Sequence, residues 1–106
     1  MPNIFTDLPK FPLPEEISSA LFENDKVKIE KIISTGQASP PGFWYDQPLQ
    51  EWVLLLSGSA VIKFNNPVKR IELQKGDFLL IPAHQLHRIE STSKNENTLW
   101  LAFFFP

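Results

Sequence analysis

From residue 27 onward the apolar residues recur at every second position, in short runs broken by glycine, proline and asparagine. A period of two belongs to a strand, whose successive side chains point to opposite faces. Residues 27–33 form the first run. Val27, Ile29 and Ile33 share one face, with Lys31 the exception, and Lys28, Glu30 and Ile32 share the other. Residues 43–45 (Phe-Trp-Tyr) make a short candidate strand between the loop STGQASPPG and a polar turn. Runs at 51–56, 60–64, 68–73, 78–81, 86–91 and 98–105 follow, separated by Ser57-Gly58-Ser59, Asn65-Asn66-Pro67, Lys75-Gly76-Asp77 and the polar loop TSKNEN. About eight short strands with close turn signals predict an all-β chain, an antiparallel sandwich or barrel of which a single jelly roll is the double-sheet form. The long alternating helices of a parallel α/β sheet are missing from the pattern.

The chain ahead of residue 27 reads differently. Prolines at 2, 9, 12 and 14 make residues 1–14 an extended arm. Its apolar residues Ile4, Phe5, Leu8, Phe11 and Leu13 predict that it lies on the rest of the protein. Pro14 then opens PEEISSALFEN, where a proline and two glutamates in a first turn, with Ile17, Leu21 and Phe22 at helical spacing, predict one short helix. The expected organisation is an arm and helix over 1–26 and a β-barrel over 27–106.

Length and composition narrow the function classes. A chain of 106 residues is one domain, and small enough that it often borrows surface from a partner. The net charge of −2 and the scattered lysines and arginines give no basic face for nucleic acid. No cysteine is present, so disulfide and thiolate chemistry are excluded and a reducing, cytoplasmic setting is expected. The N-terminal residues hold no apolar stretch of signal-peptide length, and no apolar run approaches the roughly 20 residues of a membrane-spanning helix.

Alternation also aims the polar side chains. His87 and Ile89 share one face of their strand and Arg88 and Glu90 the other, so His87 is expected to point inward. Glu51 shares a face with Val53 and Leu55, which would bury a carboxylate that then needs a cation, a hydrogen-bonding partner or a proton. The opposite face, Trp52, Leu54 and Leu56, is apolar too, so the reverse assignment stays open. A strand apolar on both faces predicts that something covers the outside, either the arm or a second subunit, and a homodimer is the expectation.

Two motifs carry a resemblance. Glu51-WVLLLS-Gly58 and Gly76-DFLLI-Pro82-Ala83-His84-QL-His87 reproduce, in order, the Glu-to-Gly half of the first cupin motif and the Gly, Pro and His of the second. From about residue 27 to its end the chain therefore resembles the cupin superfamily of small jelly-roll barrels. The resemblance implies a metal held by His, His, Glu and His. The departures lie in that set, because the first-motif histidine positions hold Tyr45 and Gln47, and His84 stands where the second motif has its middle glycine. Strict transfer leaves Glu51 and His87. Gln47 joins them as a candidate, since phosphomannose isomerase-like cupins also use a glutamine ligand, and His84 is a candidate for the missing imidazole.

Such a mixed site would take zinc, iron, nickel or manganese, and an open position would make it reactive. The alternative is a buried Glu51–His87 hydrogen-bond network, joined by Tyr45 or Gln47, with no metal. Trp44 and Tyr45 are candidates for the pocket mouth, gripping a flat or apolar ligand, against ordinary packing. Two functions remain open. One is a small metal-dependent enzyme acting on a small molecule, and the other a non-catalytic small-ligand-binding barrel that has lost its metal. No hydrolase elbow and no glycine-rich phosphate loop is present.

Overall fold

The computed structural model describes residues 1–6 and 8–106. Eight strands follow one another: β1 (Ile17–Glu23), β2 (Lys28–Ser34), β3 (Gln50–Ser57), β4 (Ser59–Phe64), β5 (Lys69–Gln74), β6 (Phe78–Ile81), β7 (His87–Thr92) and β8 (Thr98–Phe105). They form two antiparallel sheets, one of order β1-β2-β8-β3-β6 and one of order β5-β4-β7. The architecture is the all-β jelly-roll barrel expected from the pattern. Its core is the alternate, inward set: Val53 and Leu55 from β3, Ala60, Ile62 and Phe64 from β4, with Leu73, Ile81, Trp100 and Ala102.

The ambiguity of the doubly apolar strand is resolved in favour of Glu51. Along β3 the buried residues are Glu51, Val53 and Leu55, while Trp52, Leu54 and Leu56 face outward and stay half-buried. The register pairs the outward residues with others of their kind, Trp52 with Leu80 and Phe103, and Leu54 with Phe78 and Leu101.

Two elements differ from expectation. The helix expected over PEEISSALFEN does not form: residues 17–23 are strand β1, paired antiparallel with β2 from Ile17↔Ile33 to Glu23↔Lys28, and no helix occurs among the described residues. A helix this short is marginal without tertiary support. The free edge of β2 instead offers the segment a full backbone ladder, and a bulge between Ala20 and Phe22 absorbs its imperfect alternation. The expected strand at 43–45 shrinks to one bridge, Tyr45 opposite His87. Pro40-Pro41 before it and Pro48 after it withhold the donors that a longer ladder needs.

The arm is tied to the protein by hydrogen bonds, while Phe5, Leu8 and Phe11 of its expected apolar contacts stay exposed. The Leu13 N–H donates to Thr35 Oγ1 (2.8 Å), Lys31 Nζ to the Thr6 carbonyl (3.2 Å) and Asn97 Nδ2 to the Pro9 carbonyl (3.1 Å). It covers the outer face at the β1–β2 end, where Ile33 is buried.

Gly58, in the β3–β4 turn, has φ +81°, and a Cβ there would lie 2.6 Å from Thr98 Cα and 2.8 Å from the Asn97 carbonyl. Backbone cannot yield as a flexible side chain does, so only glycine lets this turn rest on the start of β8. Gly76 has φ +91° but open space around it. Gly76→Ala is expected to cost about 1 kcal/mol from its dihedral alone, and Gly58→Ala about 3 kcal/mol or more. Urea denaturation of both variants measures the difference.

Candidate functional site

The two sheets enclose a cavity of about 320 Å³. Its apolar wall comes from inward residues of several strands, Ile32, Val53, Ile62, Ile81 and Ile89, with Trp100 and Phe104 of β8. Into this surface project Glu51, His87, Tyr45 and Gln47.

His87 is 3% exposed. Its Nδ1 lies 2.8 Å from the Gln85 carbonyl oxygen. A carbonyl only accepts, so Nδ1 carries a hydrogen and donates it. That bond fixes the ring and turns Nε2 into the cavity, where Glu51 Oε1 stands 3.7 Å away. This is beyond hydrogen-bonding distance. Among the described residues neither Nε2 nor the Glu51 carboxylate makes a hydrogen bond, although Glu51 is only 9% exposed. A neutral imidazole in this tautomer would aim a lone pair at a carboxylate. A cation placed between the two would be attracted by both.

Tyr45 is tied to His87 twice over. The Tyr45 N–H donates to the His87 carbonyl (2.7 Å) and the His87 N–H to the Tyr45 carbonyl (3.2 Å). The two rings stack with centroids 5.2 Å apart, and Phe43 meets Tyr45 edge-on at 4.9 Å. Burial, then the negative charges of Glu16 and Glu51, push the Tyr45 hydroxyl above the ordinary phenol value.

The sequence candidates divide into two groups. Glu51, His87, Gln47 and Tyr45 come together at the cavity, whereas Trp44 and His84 do not line it. His84 sits on an exposed turn with φ +62°. Its N–H donates to the Gln47 carbonyl (2.7 Å) and its Nδ1 lies 2.7 Å from Asp46 Oδ1. The left-handed backbone there explains why the motif elsewhere carries glycine. His84 clasps the segment that carries Tyr45 and Gln47.

Two further lining residues, Glu16 and Glu30, were not singled out from sequence. Glu30 shares a face of β2 with Ile32, a mixed face that signals an interior wall with a polar member. Glu16 precedes β1 and was hidden by the expectation of a helix start. Its Oε2 accepts a hydrogen bond from Ser34 Oγ (2.7 Å).

Residues 32–104 match the family model described as the cupin domain. The chain belongs to the cupin family. No match was found among curated proteins. Among solved structures, the chain is similar to a Ralstonia eutropha JMP134 protein provisionally named a mannose-6-phosphate isomerase, at 47% identity and TM-score 0.94, over 99% of this chain and 96% of that one. A cupin superfamily protein of Desulfitobacterium hafniense matches at 25% identity and TM-score 0.78, over 99% and 90% of the two chains. An RmlC-like cupin of Shewanella frigidimarina shares the fold at 17% identity and TM-score 0.69, over 86% and 76%. The cupin motif residues of this chain thus have a structural meaning: Glu51 and His87 meet at the cavity, and Gly58 and Gly76 hold turns of positive φ.

Tyr45 is the chain's one tyrosine, so tyrosinate absorbance reads this group alone. Its titration midpoint is expected above the ordinary 10.0, and Glu51→Gln should move it back toward that value. The folded value exceeds the unfolded one. The associated stability is therefore intact below about pH 10 and is lost as the pH rises through the folded value.

Proposed function

We propose that this cupin is a small-molecule-binding protein whose cavity also takes a divalent metal, held by His87 Nε2 and the Glu51 carboxylate with the Gln47 amide oxygen as a weaker third donor. The carrying observation is the orientation of His87: its Nδ1–H is committed to the Gln85 carbonyl, and Nε2 opens onto the cavity without a hydrogen bond, 3.7 Å from a carboxylate. A backbone carbonyl behind one ring nitrogen is the usual support for an imidazole that ligates through the other. A cation between the two groups would satisfy both at once. The donor set fits a borderline metal such as zinc, iron, nickel or manganese, with positions left for water and substrate.

A metal so held would polarise a carbonyl or hydroxyl of a bound small molecule. The chain's own residues do the rest. The apolar wall packs against the ligand, Tyr45 keeps a protonated hydroxyl available as a hydrogen-bond donor, and the His87 ring is kept in one orientation by its Nδ1–H bond to the Gln85 carbonyl. The non-catalytic, metal-free reading is favoured by a different observation. Among the described residues no three His, Cys, Asp or Glu side chains come together as a metal-holding group.

A second copy of the chain is proposed to cover the outer face of the larger sheet. Trp52, Leu54, Phe78, Leu80, Leu101 and Phe103 form one continuous uncharged block in the β6-β3-β8 register. The arm reaches only the opposite, β1–β2 end of this face. Phe78 and Leu80 are left 62% and 47% exposed. Such a patch suits a self-complementary twofold contact.

Metal analysis of protein purified without chelator is expected to find close to one divalent ion per chain, lost in His87→Ala and in Glu51→Ala and retained in His84→Ala. Metal-free wild-type protein would leave the non-catalytic reading. In sedimentation equilibrium the mass of a dimer is expected, and Leu80→Lys should raise the dissociation constant at least about tenfold, as burying one unpaired charge costs more than 1.4 kcal/mol. A monomer at all concentrations would refute the pairing.

A further inference from the structure

The cavity is charged with one sign. Glu51 stands at its floor, Glu30 on the β2 wall and Glu16 at its mouth. Among the described residues no lysine or arginine lines it. Lys28 offsets Glu30 from 3.5 Å away, with its side chain 41% exposed to water. Arg88, on the outward face of β7, directs its guanidinium to the Ser39 carbonyl (2.9 Å).

Of these carboxylates Glu16 is exposed, Glu30 half-buried and Glu51 buried, and the cavity they line is itself short of partners. His87, 3% exposed, and Glu51, 9% exposed, both aim polar atoms into it that have no hydrogen bond. The rings of Tyr45, Trp100 and Phe104 complete the lining. Aromatic surface and carboxylates in a shared low-dielectric space attract cations, and charge of one sign in a cleft is focused by its apolar walls. Phosphate groups are usually met by arginine, lysine or a helix N-terminus. The lining offers the first two at no point, and the described residues contain no helix.

We infer that the ligand of this cavity is a small organic cation, an amine-bearing molecule no larger than a hexose, and that phosphorylated sugars are rejected. The inference rests on the reading of the cavity as a small-molecule site. A divalent metal at Glu51 and His87 would neutralise the floor and leave Glu30 and Glu16 facing the ligand, so the preference is carried by those two residues in either case.

The test is calorimetric titration of the purified full chain with mannosamine, mannose and mannose 6-phosphate, which present one ring as cation, neutral molecule and anion. Mannosamine is expected to bind at least tenfold more tightly than mannose 6-phosphate. Glu16→Gln and Glu30→Gln should each reduce that ratio several-fold, and Lys28→Met, which removes the offsetting charge, should increase it. Circular dichroism checks that all three variants fold. Mannose 6-phosphate binding as tightly as mannosamine, or a ratio unmoved by the three variants, overturns the inference while leaving the cavity a ligand site. Absence of binding by all three sugars overturns the inference together with the cavity reading on which it rests.

Discussion

His87 Nε2 and the Glu51 carboxylate face each other across 3.7 Å at the cavity between the sheets, and no hydrogen bond joins them. Most of the cavity's chemistry follows from that confrontation. His87 cannot turn its lone pair elsewhere, because the Gln85 carbonyl holds the opposite ring nitrogen. Glu51 cannot reach water freely, because β3 carries it inward beside Val53 and Leu55. Both groups open onto the cavity between the sheets. The apolar part of its wall makes any cation placed there strongly felt.

The geometry of the pair is enforced from some distance. Glu51 lies opposite Ile81 on one side and Phe104 on the other, so its position is set by two strand registers at once. His87 begins β7 opposite Phe64 of β4, its neighbour in the smaller sheet, and is bridged to Tyr45 on its free side. The β3–β4 turn at Gly58 closes directly over the start of β8, and the register shift between Leu55 and Ser57 lies just before it. The motif glycine thus serves the site indirectly, by letting two strands meet without a side chain between them.

Much of this was legible in the residues. Period-two patterning identified β2 to β8 and the class of fold, because a strand with one buried face must alternate. The aim of His87 followed from the charged neighbours on its other face. Glu51 was harder, since β3 is apolar on both faces and alternation alone cannot orient it; the β8 and β6 registers decide. The missed element, β1, fails for a general reason. Seven residues with a proline and glutamates ahead of them satisfy the local rules for a helix start, while the reason to be a strand is the unpaired edge of β2, which no local window contains. The error had a consequence for the site, because Glu16 and Ser18 enter the cavity only once β1 is laid against β2. His84 shows the converse. Two histidines near each other in sequence suggested a shared role, but a left-handed turn sends one outward to Asp46 and a strand sends the other inward.

Floor and wall come from different stretches of the chain. Glu51 and His87 lie inside the segment that matches the cupin domain, residues 32–104. Glu16, Ser18 and Glu30 lie before it. Similarity of fold, even at a TM-score of 0.94, constrains the floor of the pocket and the path of the backbone. It constrains the choice of ligand only as far as the wall residues are also held in common. The carboxylates of this cavity are Glu16, Glu30 and Glu51, and each repels a phosphate to a degree set by its exposure, least at the exposed Glu16.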